Sequence, residues 1–261
     1  MPTPLPPALP ENAGLAFVGE RVLAAASLPP RLAARMLALR NPHGKPNADV
    51  LRELVSAPNA VRPGARWQVD FAAELTEPEA ALYEQPFHHL ERKVRPKRAR
   101  WWVNPHADAA LRTALARRER FLATAAAGEA PAFRWFASTL LPDSSLVAVA
   151  RDDDFAHGIL SARPMALWWA KFHTPHKPPA ALAAFPFPWP PATTLNSLTP
   201  AQEEQRHAIA RAARGHDAGQ LNAAVAAAYG WPVELEEAAL LDRLVALHSE
   251  RVQNTGRNRL P

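Results

Sequence analysis

Histidine and aspartate side chains are the residues of this sequence that most readily bind a metal ion. His88 and His89 are adjacent, so on a helix or a strand their side chains point in different directions. His173 and His176 have helical i, i+3 spacing, but a proline between them disfavours a helical two-histidine site. The three aspartates at 152–154 are equally typical of a turn after a strand. Since no HExxH, paired-carboxylate or facial-triad spacing is present, we predict no metal site.

Motifs for nucleophilic catalysis and nucleotide binding are also missing from the sequence. It contains no GxGxxG segment, no Walker loop and no GxSxG elbow. It has no cysteine, which excludes thiol nucleophiles, thiolate metal ligands and disulfides. We therefore predict no catalytic residue and no cofactor site in this chain.

The segment Asn41-Pro42-His43-Gly44 begins like the Asn/Asp-Pro-Pro-aromatic motif with which amino-group DNA methyltransferases hold a flipped base. His43 stands where that motif has its second proline. Gly44 stands where it has the aromatic ring that stacks on the base, so the stacking surface is missing. The segment follows a predicted helix ending near Arg40. We interpret Asn41 as the C-terminal cap of that helix and Pro42 as its terminator.

Basic residues are concentrated in two short stretches, although the net charge is only +5. Six of the nine residues from 92 to 100 are Lys or Arg, Trp101-Trp102 follow at once, and further arginines stand at 117, 118 and 120. Such local density favours a polyanionic partner. The alternative is an ordinary solvated charged face.

Length and composition favour a folded cytoplasmic protein. The chain has 261 residues and is 48% hydrophobic, which suffices for a buried core. The N-terminal MPTPLPPALP lacks the charged start of a signal peptide, and no apolar run is long enough to cross a membrane. We predict a cytoplasmic location and no membrane partner.

The elements that must position these residues are predicted to be a mixture of strands and helices, an α+β fold. Residues 29–40 show a helical pattern with Leu32, Met36 and Leu39 on one face. RWQVDF (66–71) alternates apolar and polar residues, as a half-buried strand does. Further strands are predicted in FRWFAS and SSLVAVA, a capping box at Thr76 and Glu79 opens a helix, and Asn104-Pro105 caps another that runs to about Arg118.

The second half of the sequence becomes helical. Four bulky residues at i, i+3, i+4 and i+7 predict a core-facing stripe on a helix, namely Met165, Trp168, Trp169 and Phe172. FPFPWPP (185–191) is predicted to be a rigid connector at a domain boundary, which divides the chain into 1–190 and 191–261. Beyond it we predict helices only: one opened by Thr199 and Gln202, one ended by Gly230, and a last one carrying Leu235, Leu240, Leu241, Leu244 and Leu247.

The order of these segments resembles the C-terminal part of the MmeI-like adenine DNA methyltransferases, the type IIL restriction–modification proteins. The resemblance extends from about residue 12 to 252. It rests on NPHGKPNADVLR, RWQVDF, EAALYEQPF, the basic run into WW, RFLAT, LLPDSSLVAVARDDDFAHGIL, FPFPWPP and AVAAAYGWP. It implies that 1–190 is a target-recognition domain, which reads the DNA sequence, and that 191–261 is a C-terminal helical module.

The resemblance also implies what this chain lacks. In that family the S-adenosylmethionine loop and the catalytic motif lie upstream, in a part that this chain does not contain. The expected partners are therefore double-stranded DNA and a separate methyltransferase domain or subunit, which would bind S-adenosylmethionine. The chain would then be the sequence-specific recognition portion of a split or truncated adenine-N6 methyltransferase, inactive alone. The alternatives are a non-catalytic scaffold subunit and an inactive remnant of a broken gene.

The sequence departs from the family where DNA contacts are expected. After RFLAT it continues AAAGEAPAF, without the basic residues of the relatives. SARPMALWW keeps Ser161 and Arg163 of a His-Ser-Arg-type segment, and HTPHKPPAALAA replaces a longer loop. Either the DNA target differs or recognition has decayed.

Two groups of residues are predicted to contact DNA. Phosphate contacts position a protein on the duplex, whereas base-edge contacts specify the sequence. Arginine can pair bidentately with guanine, and an exposed cation is the alternative interpretation of each candidate. The predicted base-reading residues are Arg134, Arg163, Lys171 and His173. The predicted phosphate-binding residues are Arg92, Lys93, Arg95, Lys97, Arg98, Arg100, Arg117, Arg118 and Arg120.

Overall fold

Two four-stranded sheets form the framework of the computed structural model, which describes residues 4–57, 64–94, 99–191, 193–215 and 217–257. The first sheet has the order β1-β8-β5-β6 and is antiparallel throughout. The second has the order β2-β4-β3-β7, in which only β3 and β7 run parallel. The strands are β1 Ala16–Val18, β2 Ser27–Leu28, β3 Leu51–Val55, β4 Trp67–Val69, β5 Arg120–Ala125, β6 Arg134–Ala137, β7 Leu141–Pro142 and β8 Leu146–Val149.

Helices cover the sheets and make up the last part of the chain, which confirms the α+β prediction. In the described residues they are α1 Pro30–Leu37, α2 Glu77–Ala81, α3 Glu84–Val94, α4 Ala109–Ala116, α5 Asp154–Ser161, α6 Arg163–Phe172, α7 Ala180–Ala184, α8 Pro200–Gly215, α9 Ala218–Tyr229 and α10 Glu237–Arg257. Short 3-10 turns occupy Pro10–Asn12, Asn47–Asp49 and Leu195–Ser197. Within the described chain, no helix is both long enough and apolar enough to span a bilayer.

The first sheet is buried on both faces, and its side chains belong alternately to two hydrophobic clusters. Leu122 and Val149 pack with α5, α6 and the C-terminal helices, whereas Phe121 and Ala148 pack with α4 on the other face. Both predicted strands of this region, FRWFAS and SSLVAVA, are therefore present as β6 and β8. The sheet lies at the centre of the fold.

The second sheet corrects the prediction of a half-buried strand at 66–71. Only Trp67–Val69 is strand, and the polar side of the alternation is buried: Gln68 is 1% exposed and Asp70 is 4% exposed. Asp70 is tolerated there because Arg112 from α4 pairs with its carboxylate. Alternating polarity at this strand therefore reflects a buried ion pair and does not mark a solvent face.

Two capping boxes and a glycine cap are confirmed. Thr76 and Glu79 exchange the reciprocal side-chain to backbone hydrogen bonds that open α2. The Thr76 hydroxyl and then the Thr76 backbone N–H donate to the Glu79 carboxylate, and these bonds lower the pKa of Glu79. Thr199 and Gln202 exchange the same pair of bonds at the start of α8. Gly230 ends α9 in the left-handed conformation, with φ of 69°.

Two predicted asparagine caps are wrong, because the side chains of both asparagines form hydrogen bonds outside the helix ends. Helix α1 already ends at Leu37, which leaves Leu39 48% exposed. Asn41 is buried and its Nδ2 donates to the Lys45 carbonyl at 2.8 Å and to Asn47 Oδ1 at 2.9 Å. The NPHG segment is thus a side-chain-stabilised turn.

The cap of α4 is Asp108, not Asn104. Asp108 Oδ1 accepts from the backbone N–H groups of Ala110 and Leu111, so the helix begins four residues later than predicted, at Ala109. Asn104 Nδ2 lies 3.4 Å from Glu20 Oε2 in the interior.

The aromatic stripe on α6 and the FPFPWPP segment lie in one hydrophobic cluster. Met165, Trp168, Trp169 and Phe172 are all buried, which confirms the stripe as core. Phe185, Phe187 and Trp189 of the proline-rich segment are buried in the same cluster, together with Ile209, Leu221 and Leu244 from α8, α9 and α10. Residues on both sides of position 190 therefore share one core, while the division into 1–190 and 191–261 stays a prediction.

The last helix is shorter at its start than predicted. Leu235 precedes α10, whereas Leu240 and Leu244 are buried on its inner face. His248 and Arg251 of α10 bond to the N-terminal segment, at the Pro7 carbonyl and Glu11. The two ends of the described chain thus lie side by side.

Candidate nucleic-acid interface

The first predicted phosphate-binding group lies at the end of α3 and just beyond it. Arg92 and Lys93 are exposed in the last turn of α3, and Arg92 Nε donates to the His88 carbonyl at 3.1 Å. Arg100 is exposed, has a φ of 51°, and donates to the Ala73 carbonyl. Its left-handed backbone is one that few non-glycine residues adopt. Arg95, Lys97 and Arg98 lie outside the described residues.

The tryptophans after this basic run are structural. Trp101 and Trp102 are 5% and 9% exposed and belong to the cluster beneath the second sheet. The Trp101 indole N–H donates to Glu77 at 3.2 Å, and that of Trp102 donates to the Leu75 carbonyl at 3.0 Å. Because their faces are buried, these rings anchor the basic segment and offer no stacking surface for a base.

Two members of the second predicted group, Arg118 and Arg120, are paired with Asp152 and Asp154. Arg118 lies 3.1 Å from Asp152 Oδ1, and Arg120 lies 2.8 Å from Asp154 Oδ1. The Arg120 guanidinium also covers the Trp135 ring, with 3.8 Å between its Cζ and the ring centroid. These carboxylates reduce the positive charge available to a phosphate at this place.

Asp154 connects the sheet to the C-terminal helices. Its second oxygen accepts from Arg214 of α8 at 2.6 Å, and Arg214 is 61% exposed. Burial acts to raise the pKa of Asp154, but hydrogen bonds from Arg214 and Arg120 outweigh it and hold that pKa below the ordinary value of 3.8. The ion triad is therefore intact at neutral pH.

Removing this carboxylate is expected to give a pH-dependent loss of stability. A depressed carboxylate pKa stabilises the fold above the unfolded-state pKa, and this stabilisation is lost as pH falls through the folded-state pKa. We expect Asp154→Asn to lower the free energy of unfolding by about 1 kcal/mol at pH 7, since both arginines are partly exposed. The difference should shrink toward zero at an acid pH below the folded-state pKa, which lies under 3.8.

Urea unfolding of the wild type and Asp154→Asn at both pH values measures this difference. Asp242→Asn, an exposed aspartate on α10, is the control and should change little at either pH. An equal deficit for Asp154→Asn at neutral and acid pH contradicts the ion-triad explanation.

Arg117 and Arg134 differ from these arginines in being exposed without an ion pair to another described residue. Arg117 is the C-cap residue of α4. Arg134 lies on β6, an edge strand, opposite Ala123 of β5. Its side chain is on the face opposite to Trp135, beside a cleft that Ser56 and Phe136 also line. Both guanidinium groups are available to an anion.

The other three base-reading candidates lie on or next to α6, whereas Arg134 lies on β6. Arg163 begins the helix, and its guanidinium donates to the Leu235 carbonyl at 2.8 Å. Lys171 is exposed near the other end of the helix, about 12 Å further along the axis. His173 stacks on Trp169 with ring centroids 3.9 Å apart, and burial lowers its pKa. The imidazole is thus mainly neutral at pH 7.

The most heavily bonded arginine was not singled out by the sequence. Arg112 donates to both oxygens of Glu20, at 2.6 and 2.7 Å, and to both oxygens of Asp70, at 2.9 and 2.8 Å. The Glu20 and Asp70 side chains are 0% and 3% exposed, and the hydrogen bonds that Arg112 donates to Glu20 raise the pKa of Arg112 further. These residues are far apart in sequence, so no local spacing reveals them. Their role is structural.

The predicted metal candidates have other partners in the structure. Asp153 caps α5 by accepting from the Ala156 backbone N–H at 2.9 Å, and His88 lies 3.0 Å from Glu91. Among the residues that the structure describes, no cluster of three or more His, Asp or Glu side chains forms a metal site.

Comparison with solved structures shows that this fold is similar to that of a restriction–modification enzyme. No protein-family model matches the chain. No curated protein matches it in sequence. The solved structure of the type IIL restriction–modification enzyme MmeI in complex with DNA is similar over 97% of this chain, with a TM-score of 0.56 and 11% sequence identity. This chain spans 36% of the length of the MmeI chain. At that identity, the similarity is one of fold.

Proposed function

We propose that this chain binds double-stranded DNA and supplies sequence recognition to an MmeI-like adenine DNA methyltransferase or restriction–modification system. The observation that carries the proposal is the fold similarity over 97% of the chain to an enzyme whose structure contains DNA. Because the chain spans 36% of that enzyme, the remaining activities of such a system require other polypeptide. We infer that a separate methyltransferase domain or subunit binds S-adenosylmethionine and carries out the transfer.

Exposed cations without an ion pair among the described residues support two separate tasks on the surface, phosphate contact and base reading. Lys93 and Arg117 are exposed members of the phosphate group without a carboxylate partner among the described residues. Arg134 is the favoured base reader, because an edge strand presents it to solvent. Arg118 and Arg120 contribute less, since Asp152 and Asp154 already accept their hydrogen bonds.

The basic run is expected to set the salt dependence of DNA binding. The slope of log K against log salt is negative, and each phosphate that a cation neutralises adds roughly 0.9 to its magnitude. Replacing Arg95, Lys97 and Arg98 together by alanine should therefore make the slope shallower by roughly two to three. Fluorescence anisotropy with a labelled duplex, at several salt concentrations between about 50 and 200 mM, measures the slope.

The matched control replaces Arg31 and Arg35, two exposed arginines of α1 outside the predicted group. This pair should leave the slope nearly unchanged. If the triple variant keeps the wild-type slope, its residues do not contact phosphates. If neither the chain alone nor the chain with its methyltransferase partner binds duplex DNA, the DNA-recognition proposal fails and a scaffold role or an inactive remnant takes its place.

Arg134 is expected to affect sequence preference and not general affinity. Arg134→Ala should weaken binding to the preferred duplex by about 1–3 kcal/mol and relax the preference at one base pair, as expected for loss of a bidentate contact. Selection of bound duplexes from a randomised pool, followed by anisotropy on the best site, gives both quantities. A uniform loss on all sequences would instead identify Arg134 as a phosphate contact.

A further inference from the structure

A cavity of about 670 Å³ opens next to the β8–α5 connection, and neither Arg134 nor a residue of α3 lines it. Its walls come from the N-terminal segment, from the residues that follow β8, from the FPFPWPP segment and from α8. Three arginines and three carboxylates line it: Arg118, Arg151, Arg206, Glu11, Asp152 and Asp153. Its volume falls in the range of small-molecule sites, about 300–1,000 Å³.

The three arginines are each held by a carboxylate, so their positions are fixed before any ligand arrives. Arg118 pairs with Asp152 at 3.1 Å and Arg151 pairs with Asp153 at 2.7 Å. Arg206 forms a two-point pair with Glu203 along α8, at 2.9 and 2.8 Å. A guanidinium carries five N–H donors, and each pair uses only some of them. The paired carboxylates lower the net positive charge around these arginines, Arg118 included, but the donors that remain can still bind the several oxygens of one phosphate group.

Hydrogen-bond acceptors lie among the same residues. Asp152 accepts from Arg118 through Oδ1, and a carboxylate offers further lone pairs for hydroxyl donors. The hydroxyls of Thr193 and Thr194, which also line the cavity, donate or share hydrogen bonds with Pro190 and Ser197 and can still accept. A ligand that combines an anionic end with several hydroxyl donors therefore matches both sets of groups.

We propose that this cavity binds a sugar phosphate, with the phosphate on Arg151, Arg206 and Arg118 and the sugar hydroxyls on Asp152, Asp153 and the threonines. The equal number of arginines and carboxylates disfavours a simple anion, which would meet three carboxylates. It equally disfavours a neutral sugar, which would leave the arginine donors unused. This proposal is independent of DNA recognition by the rest of the surface.

Isothermal titration calorimetry with ribose 5-phosphate tests the proposal on the full chain. We expect saturable binding, with ribose and inorganic phosphate each binding about tenfold more weakly or worse, because each supplies only half of the contacts. Arg206→Gln should weaken ribose 5-phosphate about tenfold, as expected for a lost charge-assisted hydrogen bond. Arg211→Gln, an exposed arginine of the same helix outside the cavity lining, should bind like the wild type.

Four results would overturn the proposal. These are no binding of ribose 5-phosphate, equal affinity for inorganic phosphate, wild-type affinity in Arg206→Gln, and displacement of ribose 5-phosphate by duplex DNA. The last would assign the cavity to the DNA-binding surface. Arg206 pairs only within its own helix among the described residues, so this variant is expected to fold, and a thermal melt checks that it does. A chain that fails to bind DNA can still bind the sugar phosphate, which separates this proposal from the previous one.

Discussion

Replacing Arg112 by leucine is expected to lower the free energy of unfolding by about 3–5 kcal/mol. Arg112 is the cation that both buried carboxylates share, and it makes four hydrogen bonds of 2.6–2.9 Å to them. Without it, Glu20 and Asp70 remain as uncompensated charges in the interior. The nearest other cation, Arg52, is 3.8 Å from Asp70 and 47% exposed, so it cannot replace the lost bonds.

Urea unfolding at pH 7, followed by tryptophan fluorescence, measures this loss. Arg117→Leu is the matched control, because it removes an exposed arginine from the end of the same helix and should change stability by less than about 0.5 kcal/mol. If the two variants are equally stable, the Glu20–Arg112–Asp70 network does not stabilise the fold.

The second large effect is expected at Gly158, where α5 meets the C-terminal helices. A Cβ atom at this position would lie 2.6 Å from Ile209 Cγ2, 3.2 Å from Leu221 Cδ1 and 3.3 Å from Ala213 Cβ. Ile209 lies in α8 and is restricted at χ1 because it is β-branched, so its methyl group cannot swing away. Any larger side chain must therefore push α5 and α8 apart.

We expect Gly158→Leu to cost about 3 kcal/mol, at the upper end of overpacking effects. Gly158→Ala should also destabilise, because the clash outweighs the helix-propensity gain of about 0.5–1 kcal/mol. Gly215→Ala, at the end of α8, has no atom within 4 Å of its new Cβ and serves as the control. Thermal and urea unfolding compare the three variants, and a stabilised Gly158→Ala would show that the helices can separate at no cost.

Local chemistry made the helical boundaries and the core stripe predictable. The capping boxes at Thr76 and Thr199, the terminating Gly230 and the buried face of α6 each depend on residues within one or two turns, and all were confirmed. The errors at Asn41 and Asn104 have a common reason. Both side chains bond to residues that a turn or a tertiary contact brings near, and these partners compete with the helix-end role that spacing favoured.

Tertiary pairing was not predictable from spacing. The alternation in RWQVDF indicated a solvent face. Asp70 instead lies in the interior, where it pairs with Arg112, 42 residues later in the chain. In the same way, the sequence identified Arg118 and Arg120 as cations without showing that Asp152 and Asp154 lie against them. The prediction that they bind phosphate stays a prediction. Of the base-reading candidates, Arg134 is the most accessible arginine, and sequence alone ranked it no higher than Arg163.

The contacts between the two ends of the described chain determine when folding can finish during synthesis. The Leu9 backbone N–H donates to the Ala183 carbonyl at 2.9 Å, the Pro7 carbonyl contacts His248, and Glu11 pairs with Arg251. These groups are separated by up to 241 positions. Contacts between distant positions form slowly, and only once both partners have been synthesised. The contacts of the N-terminal segment with α10 therefore cannot form until α10 has emerged from the ribosome. Until then the aromatic core of α6 and the FPFPWPP segment remains partly uncovered, so chaperone binding to the nascent chain is expected to persist until α10 is released.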